Sequence, residues 1–183
     1  SLMPAKITGA SIHQIQLKTR MPFKYGIATM TDVPYAFLKL SVEIDGSRQE
    51  GYAADNLPPK WFTKTPETPL GEEMAEMLRV IEHAREIAIG METDSPFDLW
   101  LDLYEAQAEW GESENLAPLL TGFGTSMVER AVIEATCRGL EKPFAKALAD
   151  NARASARSPC SRSHSAFLST MSPSLALSSA RTP

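Results

Sequence analysis

Ala36-Phe37-Leu38-Lys39-Leu40-Ser41-Val42-Glu43-Ile44-Asp45-Gly46 alternates along nine residues and then stops at a turn signal. Ala36, Leu38, Leu40, Val42 and Ile44 fall on one face of an extended chain, and Lys39, Ser41 and Glu43 on the other. Asp45-Gly46 supplies the positive φ angles of a tight hairpin turn. Ser47 to Ala54 then returns as a partner strand. Upstream, Ile7 to Leu17 is β-prone with imperfect alternation and reads as the first strand. The expectation is a three-stranded antiparallel meander with one solvated face.

Two long connections flank the meander. Thr19 to Pro34 joins the first two strands and is too long for a hairpin turn, so a loop is expected there. Asp55 to Pro69 follows the third strand and carries Pro58, Pro59, Pro66 and Pro69. Loops of this length in a compact domain are more often functional than incidental.

Helical spacing takes over after Pro69. From Gly71 to Ile89, the residues Met74, Met77, Leu78, Ile81, Arg85 and Ala88 form a stripe, with Gly90 as the stop. Glu72, Glu73, Glu76, Glu82 and Glu86 read as its solvated face. Ser95-Pro96 is a start signal, a cap followed by proline. The next helix is expected to bury Phe97, Trp100, Leu101, Tyr104 and Ala108 and to stop near Gly111. Gly122-Phe123-Gly124 should lead to Thr125 or Ser126 as a cap, with Glu129 closing a capping box. Val128, Ala131, Val132 and Ala135 face inward from that helix, which ends at Gly139. Pro143 opens a short helix through Phe144, Ala147 and Leu148. Strands followed by a helical bundle make the fold α+β.

At Asn151 the composition changes. The 33 residues to Pro183 hold ten Ser, six Ala, four Arg and three Pro, and no Asp, Glu or Lys. All 23 carboxylates and 14 of the 18 basic residues precede this point, so the body is acidic and the tail basic. An acidic body argues against nucleic acid, and four scattered arginines do not make a binding arm. No apolar run reaches the roughly 18 residues of a membrane span, and no secretory segment is evident. Ser1-Leu2 reads as a remnant ahead of a native start at Met3. Cys137 and Cys160 read as reduced thiols, Cys137 as a small buried residue, which together suggest a cytoplasmic protein. His13, His83 and His164 lack zinc spacing. Glu129 and Glu134 lie too far round a helix to share an ion, and no phosphate-binding glycine loop is present. The tail reads as disordered low-complexity sequence, or as the product of a frameshift in a GC-rich gene.

The run Ala131-Val132-Ile133-Glu134-Ala135-Thr136-Cys137-Arg138-Gly139-Leu140-Glu141-Lys142-Pro143-Phe144 is similar to a family pattern. With the β-meander and helical bundle before it, residues Ala5 to Ala149 resemble the N-terminal capping domain of the enolase superfamily, in its mandelate racemase and muconate lactonizing enzyme branch. The shared features are the Ala-x-x-x-Ala spacing, then Gly, then Pro opening a short helix. Thr136-Cys137 departs from the aliphatic-aromatic pair more common there. The resemblance implies a domain that closes over a (β/α)-barrel, whose three carboxylates hold Mg²⁺ and whose acid–base residues take a proton from the carbon beside a carboxylate. A barrel needs roughly 200 residues. The resemblance thus implies a capping domain at residues 3–150 that ends before its barrel, with a tail at 151–183. Such a chain holds no catalytic residue, metal ligand or cofactor of its own, Mg²⁺ being expected only in a full-length lyase, isomerase or cycloisomerase.

Within that frame, both long connections are candidate substrate contacts. Arg20 and Lys24 could pair with a carboxylate small molecule, while Tyr25, Thr29 and Thr31 could donate hydrogen bonds. In the second segment, Asn56 and Lys60 could contact substrate. Trp61 and Phe62 could wall a lid facing the pocket; equally, Trp61 could cover the sheet as core, a reading that needs no ligand. The competing class is a free-standing dimerisation or protein-interaction module. A homo-oligomer formed through the barrel-facing surface is compatible with either reading.

Overall fold

The backbone pairs as an antiparallel sheet of four strands in the order β3-β2-β1-β4, with β1 at Ala5–Tyr25, β2 at Ala28–Ile44, β3 at Ser47–Asn56 and β4 at Glu92–Thr93. The structure is a computed structural model that describes residues 4–26, 28–58, 60–62, 65 and 67–155, with side chains described at all of these but 28 and 151–155. The alternation of β2 is realised as expected: Ala36, Leu38, Leu40, Val42 and Ile44 are all buried. Asp45 and Gly46 both take positive φ, at 49° and 76°, and set Ile44 opposite Ser47. That double positive φ twists the hairpin in the same sense as its strands.

The fourth strand was not anticipated. After α1 (Leu70–Ala88), Gly90 at φ 90° reverses the chain. Gly90 N then donates to Ile7 O at 2.9 Å, and Ile7 N to Met91 O at 3.0 Å. Lys6 and Ala5 pair onward with Glu92 and Thr93.

Thr19 to Pro34 is not a loop. β1 and β2 stay paired past the end of β3, forming a two-stranded ribbon as far as Tyr25 opposite Ala28. The register jumps between Lys18 opposite Asp32 and Phe23 opposite Met30, so residues 19–22 face a single residue, Thr31. A bulge of this kind accommodates Pro22, which has no N–H for the ladder. Thr19 Oγ1 donates to the carbonyls of Met30 and Thr31 at 3.3 and 3.2 Å across the irregularity.

The core lies between one face of the sheet and three helices, α1, α2 (Pro96–Ser113) and α3 (Pro118–Gly139). α3 is central, packing on β3, β2, α1 and α2. It begins well before the expected cap at Thr125 or Ser126, with Ala117 as N-cap and Pro118 in its first turn. Gly124 sits inside the helix because a neighbour comes too close for a side chain. A Cβ on Gly124 would lie 2.1 Å from Val80 O of α1. Where α3 crosses the sheet, a Cβ on Gly51 would lie 1.9 Å from Ala131 O. Val128, Ala131, Val132 and Ala135 are buried as expected.

Ser95 caps α2 by accepting from Asp98 N at 3.1 Å. The buried stripe of that helix, however, is Leu99, Leu103, Gln107 and Gly111, and α2 continues past Gly111 to Ser113. Phe97 and Tyr104 are exposed instead, and Trp100 lies between their rings at 5.5 Å from each. Two apolar stripes lie side by side on this helix. The one ending in Gly111 can approach α3 most closely, since even a Cβ there would meet Thr121 at 2.4 Å.

Side chains of α3 also close the free edge of β3. Glu134 accepts from Tyr52 N, and Arg130 Nη1 donates to Ala54 O at 3.1 Å while its Nη2 donates to Asp55 Oδ2 at 2.9 Å. Two backbone groups that could recruit another strand, Tyr52 N–H and Ala54 C=O, are thereby occupied.

Two compact units are distinguishable, Leu2–Phe144 and, with Ser1, Ala145–Pro183. Helix α4 (Phe144–Ser155) runs past the compositional break at Asn151. Residues 156–183, where Cys160, His164 and most of the tail fall, lie outside the described residues. No helix among the described residues is long and apolar enough to cross a membrane.

Candidate functional site

The ribbon and the segment after β3 meet through aromatic rings. Phe23 and Tyr25, two apart on β1, share a face and stack at 5.9 Å. Tyr25 in turn lies 6.5 Å from the ring of Trp61. Trp61 is 58% exposed, so it is not sheet core, and the core reading goes to its neighbour. Phe62 packs at 5.1 Å on Phe123 of α3 and joins the hydrophobic core.

The other candidates separate according to strand pleat. Lys24 pairs with Thr29 across the ribbon, which sets both on the face opposite Tyr25. Arg20 lies in the bulge, exposed, and Thr31 donates to Asp32 Oδ2 at 3.3 Å. Asn56 ends β3 opposite Tyr35, its backbone N–H donating to Asp55 Oδ1 at 2.9 Å. Tyr25 and Trp61 are therefore brought together, while Lys24 and Thr29 form a second, exposed polar pair.

Lys60 is engaged with protein oxygens. Its Nζ donates to Thr65 O and Thr68 O at 2.6 Å each and to Glu73 Oε1 at 2.7 Å. Its backbone N donates to Glu73 Oε2 at 2.6 Å. The two side chains are only 7% and 3% exposed. This overturns the reading of Glu73 as part of a solvated acidic face. Its place four residues before Met77 and eight before Ile81 put it on the buried stripe, a spacing that was available in the sequence. Burial pushes the Tyr25 phenol up from its usual range, and the Glu73 carboxylate adds to that. Beneath the segment, a cavity of about 10 Å³ lined by Lys60, Phe62 and Glu73 among others has room for no more than a water. A ligand of the ribbon and segment would sit on their outer surface.

A second polar cluster escaped notice. Gln107 is fully buried between three helices: its Nε2 donates to Val80 O at 2.9 Å, and its Oε1 lies 2.6 Å from His83 Nδ1. His83 stacks on Trp110 at 3.8 Å, and Arg79 lies over the same indole. Cys137 is half-buried rather than buried; its thiol is pushed up by burial and then by Glu134. Among the described residues, no three His, Cys, Asp or Glu side chains converge as donors for a metal. The described residues do not fit Mg²⁺.

No protein-family profile matches the chain, and no curated protein sequence matches it. Solved structures do. An enolase from α-proteobacterium BAL199, with bound magnesium, superposes at TM-score 0.55 and 18% identity, covering 79% of this chain and 34% of its own. A mandelate racemase/muconate lactonizing enzyme-like protein from Rubrobacter xylanophilus gives 0.53 and 17%, covering 78% and 33%. L-talarate dehydratase from Polaromonas sp. JS666, complexed with magnesium and L-glucarate, gives 0.52 and 16%, covering 79% and 35%. This chain spans about a third of the length of each. At such identities the likeness concerns fold alone. The chain has the α+β fold of an enolase N-terminal-like domain, shared with part of enolase and mandelate racemase/muconate lactonizing enzyme-like proteins.

Proposed function

We propose that this chain is the substrate-capping part of a mandelate racemase/muconate lactonizing enzyme-like protein, and that it does not turn substrate over alone. The observation that carries the reading is the Tyr25–Trp61 contact. It joins two segments far apart in sequence, both projecting aromatic and polar groups, at one end of a fold that makes up a third of much longer proteins. In the whole protein the ribbon and the Asp55–Pro69 segment would close over a small carboxylate. Proton abstraction beside that carboxylate would fall to groups outside the residues described. Arg20 supplies a cation such a substrate calls for, and Asn56 and Thr31 supply neutral hydrogen-bonding groups, while Lys24 and Thr29 offer a second cation and hydroxyl on the opposite face of the ribbon. The chain assayed with mandelate, L-glucarate and other α-hydroxy or sugar acids, with and without Mg²⁺, should give no turnover; metal-dependent turnover would overturn the reading. Genomic DNA downstream of codon 150 should encode barrel-like, β-branched strand sequence in another frame.

A second reading, a self-associating module, is favoured by the apolar side chains of the ribbon. Met21 is 70% and Phe23 60% exposed, with Ile15 and Leu17 exposed beside them. Light scattering tests it: a concentration-dependent dimer abolished by Met21→Ser and Phe23→Ser supports the module, and a monomer at all concentrations counts against it.

A further inference from the structure

The three consecutive side chains Lys60, Trp61 and Phe62 go to three different places: a buried acid, the ribbon and the core. We propose that Lys60 and Glu73 are positioning residues, a buried ion pair that holds Trp61 beside Tyr25 so that ribbon and segment act as one gate. The proposal rests on the capping reading for its purpose, but not for its geometry.

An ammonium has three protons, and all three of Lys60 meet oxygens: Thr65 O, Thr68 O and Glu73 Oε1. One side chain thus ties the far end of the Pro-rich segment to the first turns of α1. Glu73 spends its second oxygen on the backbone N–H of the same lysine, fixing the main chain as well as the side chain. Lys60 also sits at φ 61°, a left-handed conformation that a lysine keeps only where its surroundings over-determine it. The next residue is Trp61, and its indole direction follows from that backbone. Burial makes the arrangement all-or-none, because removing either partner leaves the other as an uncompensated charge.

The test uses the full chain labelled with 5-fluorotryptophan, whose three tryptophans give three ¹⁹F resonances, that of Trp61 assigned with Trp61→Phe. Tyr25→Leu should shift the Trp61 resonance in the native background. In Lys60→Met the Trp61 resonance should move and sharpen while those of Trp100 and Trp110 stay, and the Tyr25→Leu effect should vanish. The double variant Lys60→Met/Glu73→Met removes both buried charges, so its thermal midpoint should return towards the native value while Trp61 stays displaced. It also serves as the readout where Lys60→Met alone does not fold. A merely stabilising pair predicts the reverse, recovery of the midpoint and of the Trp61 resonance together. That result, or a Trp61 signal unmoved in the folded variants, overturns the proposal. No substrate enters the measurement, so it can fail while the capping reading stands, and metal-dependent turnover by the chain would sink that reading without touching this one.

Discussion

Glu129 is a half-buried carboxylate on α3 whose surroundings push its pKa upward, desolvation outweighing the nearby Arg130 cation. With the folded value above the unfolded one, the native state binds the extra proton. The contribution of Glu129 to stability is fullest below about pH 4.5 and is lost as pH rises through the folded pKa. Glu129→Gln should therefore raise the thermal midpoint at pH 7 and leave it unchanged near pH 3. At Gly51 the effect is steric. Gly51→Ala must push β3 from Ala131 O, at a cost of about 1–3 kcal/mol or more, read by urea denaturation. Residue roles were the least legible part of the sequence. Lys60 looked like a free cation in a loop and Glu73 like one of five exposed acids, since charge type says nothing of which pair becomes buried. Trp61 read as sheet core, yet it is Phe62 that packs against the core while Trp61 stays exposed.

Element existence was far more legible than element extent. The alternation from Ala36 to Ile44 and the Asp45-Gly46 turn specified β2, β3 and the hairpin, because one face had to be buried and one turn type fits. The ribbon was hidden by Pro22 and the bulge, which break the period of two that marks a strand. α2 carries two apolar stripes, and periodicity alone ranks Phe97–Trp100–Tyr104 above Leu99–Leu103–Gln107. The true stripe contains an amide that needs three helices around it before burial makes sense. Gln107→Leu should strand the His83 and Val80 groups it now satisfies, costing about 1–3 kcal/mol in urea denaturation. Tryptophan fluorescence should report loosening around Trp110, the indole that stacks on His83.

For the whole molecule, the fold class followed from element order, strands first and helices after, while the candidate site followed only in outline. The two segments meet at Tyr25 and Trp61, a long-range contact that no local pattern encodes. Calorimetric titration with Mg²⁺ should give no site-specific heat, since no three donors converge among the described residues. A saturable endotherm or exotherm at micromolar metal would count against that. The partly stoppered margin of β3 bears on how such a chain can aggregate. With Tyr52 N–H and Ala54 C=O taken by Glu134 and Arg130, a newcomer strand meets a zipper with missing teeth along the middle of β3. The ribbon, which extends past β3 on one side and past β4 on the other, is where strand exchange between molecules would start.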